Sequence, residues 1–268
     1  MKTKSIITNV ALALTLGMFY TSCDKTKDDT IDTDTSSASD NSTSENAFSD
    51  MFKSVKEVSD GNASLRTTTC ATITVDTTPV TTWPKTITID YGTGAGCSGK
   101  KGKIKAVLTG HFLNFGTLIT ITTDSNYCYG AYKINAGTHT ILNNGGNLAG
   151  HKTFSISVSS AALNGPGGII AWSSTRTIEW IAGDSTLTTA DDVYLISGQT
   201  TGTSAKGITF TSTITTPLRI ATSCQWIESG VVSLTPKNKK TRVIDFGTTG
   251  CDNNATVTIN GKVYNVTM

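Results

Sequence analysis

Apolar residues alternate with threonine or serine along most of the chain beyond residue 67. Residues 208–215 read ITFTSTIT, so apolar and hydroxyl side chains fall on opposite faces of an extended segment. The same period of two occurs at residues 87–91, 154–158 and 170–180. This pattern predicts half-buried β-strands whose outer face is covered by hydroxyl groups.

About twelve such segments follow one another through short connections, with no helical pattern between them. Parallel strands require long crossover connections, so these strands must pair antiparallel. The composition agrees, because threonine and glycine are poor helix formers and only 16% of the residues are charged. The sequence therefore excludes a helical bundle and predicts a single all-β domain over residues 67–268, built as an antiparallel β-sandwich or meander.

Two turn sequences indicate which strands are neighbours. Asn260-Gly261 separates two short alternating segments and supplies the two positive-φ residues of a type I′ turn. Residues 203–207, TSAKG, mark a second hairpin turn.

Similar segments occur at the two ends of the domain, KTITIDYGTGAGC at residues 85–97 and KTRVIDFGTTGC at residues 240–251. The last cysteine of each segment follows another cysteine by 27 positions, and a turn lies near the midpoint. Matched hairpin ends would bring the paired cysteines within bridging distance in an exported protein. The sequence therefore predicts echoed hairpins at residues 70–97 and 224–251. The predicted disulfides are Cys70–Cys97 and Cys224–Cys251, and the other pairings of these four cysteines are the alternatives. Cys128 is then left as a buried free thiol.

The first 23 residues have the pattern of an export signal. Two lysines precede an apolar stretch at residues 6–19, which is shorter than the ~20 residues that span a membrane. Residues 20–23, YTSC, resemble a bacterial lipobox, in which the cysteine receives acyl chains such as palmitate. The resemblance implies a signal peptide at residues 1–22 and lipidation of Cys23. An ordinary signal cleaved nearby, with Cys23 in a disulfide, is the alternative.

Residues 24–46 contain no aromatic side chain and carry seven acidic residues against two lysines. Such a composition buries too little apolar surface to order the chain, so a lipidated, acidic, disordered tether is predicted over residues 23–66. Within it, apolar residues at helical spacing predict one short amphipathic helix near residues 48–58. Residues 27–29, KDD, resemble the export signal of Bacteroidetes surface lipoproteins, and a solvated linker is the alternative.

The formal net charge of +2 is too small to indicate a nucleic-acid-binding protein. Beyond residue 67, however, fifteen basic residues stand against ten acidic ones, with lysines concentrated at residues 100–105 and 237–240. The favoured interpretation is that these lysines keep strand edges from pairing with other chains. Attraction to anionic polysaccharide or lipid is the alternative.

A search for chemical motifs finds little. Residues 94–100 match the start of a phosphate-binding loop, but Lys101 stands where that motif requires serine or threonine, and a strand pattern follows. His111, His139 and His151 are scattered along the chain and predict no zinc or catalytic site. The sequence therefore predicts no cofactor and no catalytic residue.

Two groups of residues are candidates for ligand or metal binding. Trp172 and Trp180 share one strand face, where they either belong to the core or, if exposed, stack on sugar rings. Asp184, Asp191 and Asp192 lie in one loop and could supply oxygen ligands to Ca²⁺, although their spacing is not that of a calcium-binding loop. The core and the solvated loop are the favoured interpretations.

Four motifs of the domain are similar to those of a group of uncharacterised Bacteroidetes lipoproteins. They occur at residues 70–76 (CATITVD), 84–90 (PKTITID), 174–177 (STRT) and 251–253 (CDN). The resemblance covers almost the whole domain. It implies a surface location and β architecture, and no known activity.

Together these patterns predict a lipoprotein anchored in the outer membrane and facing the cell exterior. The favoured function is a non-catalytic binding or envelope-structural module, with a glycan or an envelope component as its partner and no nucleic acid. One alternative is a carbohydrate-active enzyme whose carboxylates converge only in the fold. Another is a calcium-dependent adhesin.

Overall fold

One helix and fifteen strands form the part of the chain that the computed structural model describes, namely residues 32–59, 70–76, 82–186, 188–248 and 250–268. The described residues belong to one unit, Asp32–Met268. The predicted signal peptide, Cys23, and the tether at residues 24–31 and 60–66 lie outside the described residues. Within the described ranges, no helix has both the length and the apolar composition required to cross a lipid bilayer.

Helix α1 spans Ser36–Ser59 and precedes all the strands. The strands, in chain order, are β1 (Thr72–Val75), β2 (Lys85–Asp90), β3 (Lys103–Leu108), β4 (Leu118–Thr123), β5 (Cys128–Tyr129), β6 (Tyr132–Asn135), β7 (Thr138–Gly146), β8 (Lys152–Gly165), β9 (Gly168–Ala182), β10 (Val193–Thr203), β11 (Thr209–Ala221), β12 (Ile227–Pro236), β13 (Arg242–Asp245), β14 (Asn254–Ile259) and β15 (Lys262–Thr267).

Most strands are neighbours in the order in which they occur along the chain. Strands β1 to β4 pair consecutively, β4 pairs with β7, and β7 to β15 again pair consecutively, all antiparallel. The β5–β6 hairpin lies off this path, and β6 pairs with β8. The predicted all-β, antiparallel architecture with one helix is confirmed, and its topology is a meander. The described residues form fifteen strands, more than the approximately twelve predicted. The strands of the β5–β6 hairpin have two and four residues, too few to show a period of two.

Both predicted hairpin turns are present. Asn260 and Gly261 have φ values of 51° and 78° and connect the paired strands β14 and β15. The turn at residues 203–207 connects β10 and β11, with Thr203 opposite Thr209. Positive φ is accessible to asparagine and glycine at little steric penalty, so these two residue types allowed the turns to be predicted from the sequence.

Helix α1 is longer than predicted and lies against the inner face of the sheet. Of its 24 residues 18 are buried, and they occupy all sides of the helix, so the sheet and its loops enclose it. The prediction of a disordered tether is therefore wrong for residues 36–47, and the predicted helix at 48–58 is only the second half of α1. The polar half is ordered because the sheet supplies partners for its side chains, which composition alone does not reveal.

Aromatic side chains fill the contact between α1 and the sheet. Phe48 stacks on Trp172 with ring centroids 4.7 Å apart, and Phe52 packs edge-on against Phe154 and Tyr194. Trp172 is 2% exposed and Trp180 is 4% exposed. Both tryptophans therefore belong to the core, and their interpretation as an exposed sugar-stacking surface is wrong.

The polar residues of α1 are held by specific partners on the sheet. Asn41 accepts a hydrogen bond of 3.2 Å from the indole nitrogen of Trp172. Glu45 forms a buried ion pair with Arg176 and accepts a hydrogen bond of 3.3 Å from the Thr200 hydroxyl. Because each buried polar group otherwise loses its hydration, these contacts determine how the helix is oriented.

The segment just before α1 is fixed by charges as well. Asp32 lies 2.8 Å from the buried guanidinium of Arg242, and Asp34 contacts Lys206 and Lys239 at 3.2 and 2.8 Å. Partial burial acts to raise the pKa of Asp34. The hydrogen bonds from Lys239 and other groups outweigh this effect and hold the pKa well below its usual range. Part of the basic excess of the domain is thus neutralised by the acidic N-terminal segment of the same chain.

Removal of one partner from the buried Glu45–Arg176 pair should be strongly destabilising. Glu45→Ala leaves the guanidinium buried without a counter-ion, so we expect the free energy of unfolding to fall by about 3–5 kcal/mol. Asp184→Ala breaks the part-exposed pair with Lys152 and should cost less than about 1 kcal/mol. Urea denaturation at pH 7 measures both, and equal losses would contradict an enclosed position for α1.

His139 on β7 is a buried, neutral histidine. Its side chain packs edge-on against Phe48, with ring centroids 5.4 Å apart, and is fully buried. Neither ring nitrogen has a hydrogen-bond partner among the described residues. Burial lowers the pKa of His139 to about 3, so the unfolded chain binds a proton here at pH values where the folded chain does not.

The stability of the protein should therefore decrease as the pH falls from about 6.5 toward 3. Between pH 7 and pH 5 the contribution of His139 amounts to about 2 kcal/mol of lost unfolding free energy. His139→Leu should remove this part of the pH dependence. Urea denaturation at both pH values checks it, and identical pH slopes for the wild type and the variant would show that the site is not desolvated.

Candidate functional site

Both predicted disulfides are present. Cys70 and Cys97 are bonded with Cα atoms 5.3 Å apart, and Cys224 and Cys251 with Cα atoms 5.5 Å apart. Cys128 is a free cysteine, as predicted, but it is half-buried rather than buried. Each disulfide closes a segment at one end of the β domain. Cys224 and Cys251 line a cleft, which Ser98, the residue after Cys97, also lines.

This cleft, called here the disulfide cleft, has a volume of about 610 Å³. Its floor is the second half of α1. One side comes from the Cys224–Cys251 disulfide and the loop that leads to β12, and the other from residues just after Cys97 and from the turn after β5. It is lined by Asp50, Lys53, Ser54, Glu57, Ser98, Lys100, Tyr129, Gly130, Thr222, Ser223, Cys224, Gln225, Trp226 and Cys251.

Lys53 places an ammonium group at the floor of the disulfide cleft. Its Nζ donates hydrogen bonds to the carbonyl oxygens of Ala221 and Cys224, at 3.3 and 2.6 Å. Burial lowers the pKa of Lys53. An ammonium group has three N–H donors, so one donor beyond these two bonds is available for an oxygen atom of a ligand.

Lys100 and Asp50 form an ion pair on one side of the cleft, with Nζ and Oδ2 3.1 Å apart. The Lys100 ammonium also lies 5.1 Å from the ring centre of Tyr91. Burial acts to lower the pKa of Lys100, but the charge of Asp50 outweighs it and the pKa is raised. The pair therefore presents one fixed cation and one fixed anion at the cleft wall.

Two aromatic side chains give the cleft apolar surface. Trp226, in the loop between β11 and β12, and Tyr129, at the end of β5, are half-buried and line the cleft. Burial raises the pKa of Tyr129, so its hydroxyl is protonated at neutral pH and can donate a hydrogen bond. Ring faces next to donors and acceptors are the combination that binds sugars and other polar rings.

A second cavity, an open groove of about 750 Å³, lies on the outer face of the sheet. Ser173, Thr201, Thr211 and Thr235 stand opposite one another on successive strands β9 to β12 and form its centre. This row is the hydroxyl-covered outer face that the alternating pattern predicts. Lys237 and Lys239 are the charged residues that line the groove.

The three aspartates proposed for Ca²⁺ do not converge. Asp184 pairs with Lys152 at 2.7 Å, and Asp191 accepts a hydrogen bond from Thr186. Asp192 points into the core. Among the described residues, no group of three or more histidine, cysteine or acidic side chains is arranged to hold a metal ion. The calcium interpretation is wrong because Asp192 is held in the core by Lys56 and Tyr194, while the other two carboxylates have partners of their own.

Comparison of the chain with known protein families, with curated proteins and with solved structures gave no match. Sequence reasoning gave no role to Asp50 and Lys53, which lie in the short helix predicted within the tether, and gave no role to Trp226. The one available signal was the position of Trp226 two residues after Cys224.

Loss of the Cys224–Cys251 disulfide should lower the free energy of unfolding, because the unfolded chain regains the entropy that the closed loop had removed. Cys224→Ser with Cys251→Ser opens a loop of 27 residues, which corresponds to about 3–4 kcal/mol of unfolding free energy. The control is Cys128→Ser, for which we expect less than about 1 kcal/mol. Chemical denaturation measures both, and a double variant as stable as the control would contradict the pairing.

Proposed function

We propose that this protein is a surface lipoprotein, anchored in the outer membrane through an acylated Cys23 and facing the cell exterior. Its β domain acts as a non-catalytic glycan-binding module. The lipobox-like residues 20–23 and the similarity to Bacteroidetes lipoproteins support the anchor. The disulfide cleft supports the binding activity, and two disulfides suit an exported protein.

The observation that carries the proposal is the composition of the cleft. Trp226 and Tyr129 offer ring surface, while Lys53, Gln225 and Asp50 offer donors and acceptors for sugar hydroxyls. A volume of about 610 Å³ lies within the ~300–1,000 Å³ typical of ligand sites. The Cys224–Cys251 disulfide and the buried helix keep the cleft preformed, so little conformational entropy is lost when a ligand binds.

Trp226→Ala should weaken the binding of short oligosaccharides by about tenfold or more, because the stacking surface is lost. The experiment screens neutral and uronic-acid oligosaccharides on a glycan array and then measures the affinity of each hit by calorimetry. Trp83→Ala is the matched control. Trp83 is also half-buried, but it packs against His111 with ring centroids 5.0 Å apart and does not line the cleft.

Binding by the wild type and by Trp83→Ala, together with its loss in Trp226→Ala, is the result that the proposal requires. If no oligosaccharide of either class binds, or if both tryptophan variants weaken binding equally, the disulfide cleft is not a glycan site. Thermal unfolding of the three proteins separates a loss of binding from a loss of folding.

The enzyme alternative is favoured by one specific observation. Asp50 and Glu57 both line the cleft and lie seven residues apart on α1, which corresponds to about 10 Å along the helix. Inverting glycosidases hold two carboxyl groups roughly 6.5–9.5 Å apart, so the two side chains would have to lean toward each other along the helix to act as such a pair. Release of reducing sugar from a bound glycan, abolished by Asp50→Asn, would identify an enzyme. Binding without such release supports the non-catalytic module.

A further inference from the structure

Lys56 and Asp192 form a buried pair between helix and sheet that the disulfide cleft does not include. Lys56 lies near the end of α1, and Asp192 immediately precedes β10. The Lys56 Nζ lies 2.5 Å from Oδ2 of Asp192, and the two side chains are 3% and 0% exposed. An amine and a carboxyl group are thus held in contact and away from water.

Aromatic side chains enclose this pair. The Lys56 ammonium lies 4.1 Å from the ring centre of Trp180, and Trp180 packs on Tyr194 with centroids 5.7 Å apart. The Tyr194 hydroxyl donates a hydrogen bond of 3.1 Å to Oδ2 of Asp192. The same oxygen therefore contacts both the amine and a phenol.

Gly183 allows Asp192 to occupy this position. Its φ is +91°, and a Cβ atom built there would lie 2.4 Å from Oδ1 and 2.7 Å from Cα of Asp192. Only glycine leaves space for so close an approach. Gly183 thus packs directly against the backbone and the carboxyl group of Asp192.

The other carboxyl oxygen, Oδ1, is buried and has no hydrogen-bond partner among the described residues. A buried ionised carboxylate with one unsatisfied oxygen is energetically costly, and so is the ammonium beside it. Burial raises the pKa of Asp192, which favours the neutral acid. Neutral amine and neutral acid are the two forms that can condense to an amide.

We infer that Lys56 and Asp192 form an intramolecular isopeptide bond once the chain has folded. In this step the bond from Lys56 Nζ to Cγ of Asp192 forms and the bond from Cγ to Oδ2 breaks. The ammonium gives two protons to Oδ2, which leaves as water, and Oδ1 remains as the amide oxygen. The Tyr194 hydroxyl stabilises the leaving oxygen, and the reaction needs no oxidant, metal or cofactor.

The bond would tie α1 covalently to the sheet. It would replace two buried charges by one neutral amide, and the surrounding aromatic side chains would keep water from hydrolysing it. A pull on the N-terminal side of α1 would then be resisted by a covalent bond as well as by packing. The inference does not depend on glycan binding.

Mass spectrometry of the full chain tests the bond directly. After reduction and digestion under denaturing conditions, we expect a branched peptide that contains both Lys56 and Asp192 and weighs one water less than its two parts. Lys56→Arg retains the cation but cannot condense, so its digest should contain the two peptides separately. Asp184→Ala breaks the exposed pair with Lys152 and should leave the branched peptide unchanged.

A wild-type digest in which the peptides of Lys56 and Asp192 occur only separately, each with its full mass, overturns the inference. A branched peptide that persists in Lys56→Arg also overturns it, because the bond would then involve another residue. The wild-type result is decisive even if Lys56→Arg folds poorly, since the branched peptide is read after denaturation.

Discussion

The inner face of the sheet is apolar and aromatic, and its burial against α1 is the interaction on which the rest of the structure depends. Each large apolar side chain that the helix inserts, such as Phe48, Phe52 or Val55, contributes about 1.5–3 kcal/mol when it is withdrawn from water. The sheet has no other described element to cover that face. The helix is therefore part of the core of the domain, and the position of the disulfide cleft follows from it, because α1 forms the cleft floor.

The polar residues of α1 show how such a helix is fixed in one position. Ion pairs such as Glu45–Arg176 add little net stability compared with apolar packing, but removal of either partner leaves a buried charge. A shifted or rotated helix would break several such contacts at once. Charge complementarity within one chain thus explains an acidic N-terminal segment followed by a basic domain, and it leaves fewer lysines available for an anionic ligand than composition suggests.

The strands, their antiparallel pairing and both disulfides were predictable from sequence, because period-two alternation, Asn260-Gly261 and the repeated cysteine spacing are local signals. The first half of α1 was not predictable, because Asn41 and Glu45 are ordered by residues 131 positions away. The disulfide cleft could not be predicted from the sequence for the same reason, since Lys53 and Trp226 line one cleft only in the folded chain. Asp192 was assigned to a solvated loop because nothing local distinguishes it from Asp191.

Hydrogen exchange of the backbone amides of α1 tests the enclosed helix most directly. If α1 is enclosed by the sheet, peptides from residues 36–59 exchange as slowly as those from β9 and β10 and become exposed only on global unfolding. Complete exchange of residues 36–47 within the first seconds, while β9 and β10 stay protected, would show a disordered tether and contradict the account.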